Sequence, residues 1–225
     1  RLNTGDEAVS DEETGAATET VAETDGDDTD PVAIDAPEEA FATLVVVDAR
    51  VAEQEGFTLD VPANVTVRVV QNDESGLDAI GSELASNAGR QYGTIHIISH
   101  GTPGSLSLGN EVIAGGSLTE AQREKLLGWA LYLTDEADIL LYGCDIAAGS
   151  EGEAFITELA HLTGADIAAS TDATGAADLG GNWVLEVSTG AIEATALTVA
   201  GFNSLLTAAP TVAITGLPAA GEVLI

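Results

Sequence analysis

Short apolar runs alternate with helix-length amphipathic segments through the middle of this sequence, and that alternation limits the fold more than any other feature. Thr43-Leu-Val-Val-Val-Asp48 is apolar up to its last residue, as a strand covered on both faces must be. Asn64 to Val70 is rich in β-branched residues and reads as a second strand. Gly76 to Ala88 reads as a helix with Leu77, Ile80 and Leu84 on one face. Thr94 to Ser99 is a third strand, closed by His100-Gly101. Ser117-Leu-Thr-Glu120 has the spacing of a capping box and opens a predicted helix to Leu133. Asp138 to Tyr142 is a fourth strand, closed by Gly143-Cys144. Ser150-Glu-Gly-Glu153 repeats the capping pattern and opens a helix to Leu162. Asp166 to Ala169 is a short fifth strand, and Asn182 to Val187 reads as a later strand or hairpin arm. Strands separated by helices build βαβ units, so the expected fold is an α/β three-layer sandwich with a mainly parallel sheet.

Charge divides the chain and excludes several functions. The 225 residues carry 38 Asp and Glu against 6 Lys and Arg, a formal net charge of -32. Binding nucleic acid through phosphates needs a basic face, so no nucleic-acid partner is expected. Docking on anionic lipid is disfavoured for the same reason. No run approaches the roughly 18 apolar residues of a membrane-spanning helix, so no membrane insertion is expected in this segment. Residues 1–40 hold 14 of the acids and one base, show no sustained period, and read as a disordered acidic linker. The run Asp25 to Asp30 looks calcium-like but lacks the Gly and terminal Glu spacing of an EF-hand loop. The ordered domain is expected over 41–200. Residues 201–225 read as a linker running into the first strand of a truncated immunoglobulin-like or cadherin-like repeat. The sequence holds no Met, as expected of a piece of a longer or processed protein.

Two strand ends carry the chemistry. In a parallel sheet the functional groups gather at the carboxyl ends of the strands. His100 and Cys144 each follow a buried strand directly, and neighbouring strands lie about 5 Å apart. An imidazole and a thiol at one sheet edge can perform nucleophilic acyl transfer, the imidazole taking the thiol proton and the sulfur attacking a carbonyl. Gly101 and Gly143 flank the pair and allow backbone N–H groups to approach a substrate, as an oxyanion hole requires. Cys144 is the single cysteine, which excludes an internal disulfide.

Ile95-His-Ile-Ile-Ser-His-Gly101, Leu140-Leu-Tyr-Gly-Cys-Asp145 and Gly180-Gly-Asn-Trp183 resemble the DUF4347 domain, found near the N-terminus of very large bacterial surface and secreted proteins with cadherin-like or RTX-type repeats. The resemblance spans Leu44 to Glu193. The order strand-His-Gly, then strand-Gly-Cys, is also similar to the caspase-like, clan CD cysteine peptidases. These resemblances imply a caspase-like α/β fold, with His100 and Cys144 at the dyad positions and the backbone of Gly101 and Cys144 as oxyanion donors. They imply a cysteine endopeptidase that processes its own polypeptide or a large surface protein, located extracellularly or at the bacterial cell surface. Downstream adhesin-type repeats would be its neighbours. No cofactor is required by this chemistry, and calcium is a candidate activator. The competing reading is a non-catalytic N-terminal module of a giant adhesin, serving export, anchoring or partner binding.

Other residues have plainer readings. Asp145 and Asp172 lie in loops at the same sheet edge, and with Trp183 they are candidate substrate-pocket residues. Either acid would favour a basic residue before the cleaved bond. His96 lies four residues before His100 and deeper in an apolar strand, so a hydrogen-bonded core histidine is expected. No third well-spaced ligand accompanies the two, and no metal site is expected. His161 falls in the last turn of a predicted helix, where a cation suits the dipole.

Overall fold

The computed structural model describes residues 41–207 apart from Ala88 and Thr198. The acidic segment, its Asp25–Asp30 run and the repeat-like strand after residue 207 lie outside the described residues. The elements are β1 (Ala42–Asp48), the single turn α1 (Ala49–Ala52), β2 (Thr58–Leu59), β3 (Thr66–Val70), α2 (Gly76–Ser86) and β4 (Tyr92–Ile98). Then follow β5 (His100–Thr102), β6 (Ser105–Leu108), β7 (Glu111–Ala114), α3 (Glu120–Trp129) and β8 (Leu133–Tyr142). The chain continues through α4 (Gly149–Thr163), β9 (Asp166–Ala169), β10 (Val187–Ser188) and β11 (Val199–Ala200).

The protein is an α/β fold around one six-stranded sheet of order β10-β9-β8-β4-β1-β3. Every neighbouring pair is parallel except β10 on β9. Taken in chain order, the five parallel strands lie as 2-1-3-4-5, with the reversal between β1 and β4. A doubly wound sheet opens a crevice at the carboxyl ends of the two strands flanking that reversal. Asp48 ends β1, and His100 follows β4 after one residue.

The period-two alternation of the strands sorts the core into two clusters. Leu44, Val46, Ile95, Ile97, Ile139 and Leu141 face Leu77 and Ile80 of α2, Leu126 and Trp129 of α3, and Phe155 and Leu159 of α4. Val45, Val47, Ile98, Leu140 and Tyr142 face the other way. That second face is covered by Val51 of α1 and by Val199, Phe202 and Leu206, with Trp183 and Leu185 packed alongside. The expected sandwich is therefore corrected: among the described residues the longer helices occupy one face, and the other is covered mainly by extended chain. Right-handed crossovers explain this, since among the connections between parallel strands only that from β1 to β3 lies on the second face, and it carries just one helical turn.

Local expectations shift in several places, and the strand expected over Asn182 to Val187 is confined to β10. Thr119, not Ser117, caps α3, because Thr119-Glu-Ala-Gln122 closes its own box with bonds of 3.2 and 3.0 Å. That helix ends at Trp129, and β8 begins at Leu133, five residues before the expected strand. Helix α4 begins at Gly149 after Ala148 with no side-chain cap, so Ser150 lies inside the helix. The segment after His100 forms a three-stranded antiparallel sheet, β5-β6-β7, which alternation with Gly and Ser obscured. The domain also runs past the expected boundary at residue 200: Phe202 and Leu206 are buried. Among the described residues no helix is long and apolar enough to cross a membrane.

Candidate active site

Strands β4 and β8 are hydrogen-bonded in register from Thr94–Asp138 to Ile98–Tyr142, which brings His100 and Cys144 out at one edge. The Ser99 N–H donates to the Tyr142 carbonyl at 2.9 Å and extends the pairing one step. Beyond it the two exit loops press together. A Cβ on Gly101 would stand 2.6 Å from the Cys144 carbonyl oxygen, and one on Gly143 would stand 2.9 Å from the Ser99 oxygen. Only glycine allows this approach, and it leaves the N–H groups of Gly101 and Cys144 side by side.

Those two N–H groups converge on one acceptor. The Leu206 carbonyl oxygen accepts from Gly101 at 3.1 Å and from Cys144 at 3.4 Å. Leu206 belongs to an extended segment laid across the site. Its N–H donates to the Thr174 carbonyl at 2.9 Å, and the Ala176 N–H donates to the Ser204 carbonyl at 2.8 Å. Leu205 pairs antiparallel with Gly175, and Thr207 pairs in parallel with Gly101. Gly175 has φ of 138°, and any Cβ there would run into the Ser204 carbonyl.

The sulfur of Cys144 rests on the backbone of Thr174. The Thr174 N–H donates to Sγ at 3.3 Å, and the thiol donates to the Thr174 carbonyl at 3.5 Å. Cys144 is 1% exposed and His100 5% exposed. Burial pushes the thiol pKa up, and the charges of Asp145 and Asp172 push the same way, against hydrogen bonds from the Thr174 and Leu206 backbones. Burial pushes His100 down, aided by the Arg50 charge; the backbones of Thr207 and Leu206 and the Asp48 carboxylate oppose it. Both shifts favour the uncharged forms, a thiol at Cys144 and a neutral imidazole at His100. The Nδ1 of His100 is buried and has no hydrogen-bond partner among the described residues.

The profile of the family described as a domain of unknown function, DUF4347, matches residues 44–206. The chain belongs to the DUF4347 family. No curated protein matches the sequence. Among solved structures it is similar to a short chain dehydrogenase family protein from Francisella tularensis subsp. tularensis SCHU S4, at 12% identity and a TM-score of 0.25. That alignment covers 55% of this chain and 60% of the other, and at such a score it carries no argument about fold or activity.

The DUF4347 domain places the remaining candidates as follows. The N–H of Asp145 donates to the Asp172 carbonyl at 2.8 Å, which ties the two loops together beside Cys144. The Asp172 carboxylate is held by the Asn182 amide at 3.0 and 3.1 Å. Trp183 is half-buried between Tyr142 and Phe202, with ring centroids 6.0 and 5.8 Å away. It therefore supports the apolar cluster that contains Leu206. His96 is a core residue: its Nδ1 lies 3.4 Å from the Tyr142 hydroxyl, which accepts from the Leu197 N–H at 2.8 Å. Burial lowers the His96 pKa to about 4. His161 lies exposed in the last turn of α4. Among the described residues no group of three His, Cys, Asp or Glu side chains is placed to hold a metal ion.

Two features went unread in the sequence. Asp48 is fully buried at the end of β1, where it accepts three bonds from Arg50 and one from the Gly109 N–H at 2.8 Å. An acid closing an apolar strand at the same sheet edge was a signal for it. The strand around Leu206 gave only the weak signal of two apolar residues, Leu205-Leu206, between polar ones.

Proposed function

We propose that this domain is a caspase-like cysteine endopeptidase with Cys144 as nucleophile and His100 as general base. The observation that carries the reading is the convergence of the Gly101 and Cys144 N–H groups on a single peptide carbonyl. Two backbone donors at that spacing beside a thiol suit the oxyanion of an acyl-transfer intermediate. A neutral His100 suits a general base, and the Thr174 N–H favours the charged form of the sulfur it touches. The antiparallel strand on Thr174 to Ala176 supports a polypeptide substrate bound through its main chain. Processing of its own polypeptide, or of a large surface protein carrying adhesin-type repeats, fits this mode of binding. An extracellular or cell-surface location and activation by calcium belong to the same proposal.

The test is incubation of the full chain, with and without calcium, alone and with reduced casein, beside Cys144→Ala. Fragments of either polypeptide that require Cys144 support the peptidase. No Cys144-dependent fragment of any kind would leave the non-catalytic module, which the buried, upward-shifted thiol also suits.

A further inference from the structure

We infer that the chain itself is the substrate, in cis, and that the bond cut is Leu206–Thr207. The inference rests on the peptidase reading above and adds the bond and the side chain recognised. Among the described residues the carbonyl seated between the Gly101 and Cys144 N–H groups is that of Leu206. The residues before it run as a strand against Thr174–Ala176, with bonds on both sides of the Gly175–Leu205 pair. This is the way an extended peptide adds to a sheet edge, with the main chain giving register and one side chain giving specificity. The side chain in question is fully buried: Leu206 is 0% exposed, in a cluster with Val47, Ile98, Tyr142 and Phe202. The next residue, Thr207, emerges exposed alongside Gly101.

The substrate class is thus an extended peptide with a medium-sized apolar residue before the cleaved bond. The basic preference read from Asp145 and Asp172 gives way to this, because Asp172 is engaged by Asn182 and the buried side chain is leucine. In the reaction the Cys144 thiol gives its proton to His100, and the sulfur bonds to the Leu206 carbonyl carbon. The resulting oxyanion is held by the Gly101 and Cys144 N–H groups. The carbon–nitrogen bond to Thr207 breaks, and His100 passes the proton to the departing Thr207 amine. A thioester joins Cys144 to Leu206. Water, losing a proton to His100, cleaves it to a Leu206 carboxylate and returns the thiol. No oxidant, metal or further reactant enters.

The experiment uses the full chain with and without calcium, followed by intact mass and by sequencing of the new N-terminus. The expected result is a fragment ending at Leu206 and another beginning at Thr207, both missing from Cys144→Ala. The rate should be unchanged on dilution over about a hundredfold, since loop and site share one molecule. Leu206→Glu should slow cleavage by at least about a hundredfold, a charge having no partner in the apolar cluster. Because that variant can also disturb folding, Leu206→Met and Thr207→Pro accompany it. Leu206→Met should remain within about tenfold of wild type, and Thr207→Pro, at an exposed position, should block the cut. Cys144-dependent fragments from another bond overturn this inference and leave the peptidase reading intact. Cleavage of casein without cleavage at Leu206–Thr207 does the same. Cutting of Cys144→Ala by added wild type overturns the in-cis statement.

Discussion

The amide nitrogen of Gly101 and the carbonyl oxygen of Leu206 lie 3.1 Å apart, joining residues more than a hundred positions distant in sequence. Gly101 reaches that oxygen because it has no side chain. A Cβ there would stand 2.5 Å from Ile146 Cγ1 and 2.6 Å from the Cys144 carbonyl oxygen. Gly101→Ala must therefore push the two exit loops apart and turn its N–H away. Loss of one such donor costs about 10²–10³ in rate. Fragment yield over time, in a variant whose circular dichroism matches wild type, measures it.

Asp145 offers a test of the electrostatics around the thiol. It is the one described non-glycine residue with positive φ, at 59°, a conformation that Asn adopts as readily as Asp. Its negative charge helps hold the Cys144 pKa up. Asp145→Asn keeps the backbone and removes that charge, so the thiol should ionise at lower pH than in wild type. Alkylation rate against pH, measured on both proteins, should shift to the acid side in the variant. In either protein alkylation at neutral pH should be slow, since the sulfur is buried and rests on the Thr174 backbone.

The Asp48–Arg50 pair behind His100 should matter for stability. Asp48 is fully buried, and its bonds to Arg50 and Gly109 hold its pKa below the usual carboxylate value despite burial. A depressed folded pKa means the contribution is present above the unfolded value, near 3.8, and is lost as pH falls through the folded one. Asp48→Asn leaves Arg50 without its ion-pair partner. Since the Arg50 side chain is 33% exposed, solvent softens the loss to about 2–3 kcal/mol. Urea unfolding at neutral pH should show it.

His96 carries a separate pH dependence. Folded, it titrates at about 4; its ordinary value is 6.5. The unfolded chain therefore takes up a proton that the folded one refuses, and stability falls as pH drops from 6.5 toward 4. The loss amounts to about 3 kcal/mol in full. The numerous carboxylates also titrate there, so the informative quantity is the difference between wild type and His96→Gln. Stability of the variant should fall less between about pH 7 and about pH 4. An equal fall in both would show that His96 is protonated in the folded state.

The parallel core was legible in the sequence because Leu44–Val47, Ile95–Ile98 and Ile139–Tyr142 are too apolar to sit anywhere but inside a sheet. His100 and Cys144 were legible as strand ends, and Gly101 as the residue that lets backbone come close. The cover over the second face was not, since Phe202 and Leu206 are spaced by polar residues and have no helical period. The three-stranded sheet after His100 was hidden for a related reason: Ser105-Leu-Ser-Leu108 alternates, but over only four residues. Asp48 read as the end of a strand because nothing local announces that Gly109, far along the chain, donates to it. What the sequence lacked in each case was the long-range partner.

Interception of the acyl intermediate tests the central claim most directly. Hydroxylamine added to the cleaving protein captures a thioester as a hydroxamate, distinguishable by mass from the carboxylate that water produces. The account predicts a hydroxamate on Leu206 in wild type and an intact chain in Cys144→Ala. Cleavage that persists in Cys144→Ala, or a wild-type chain that stays whole, contradicts it.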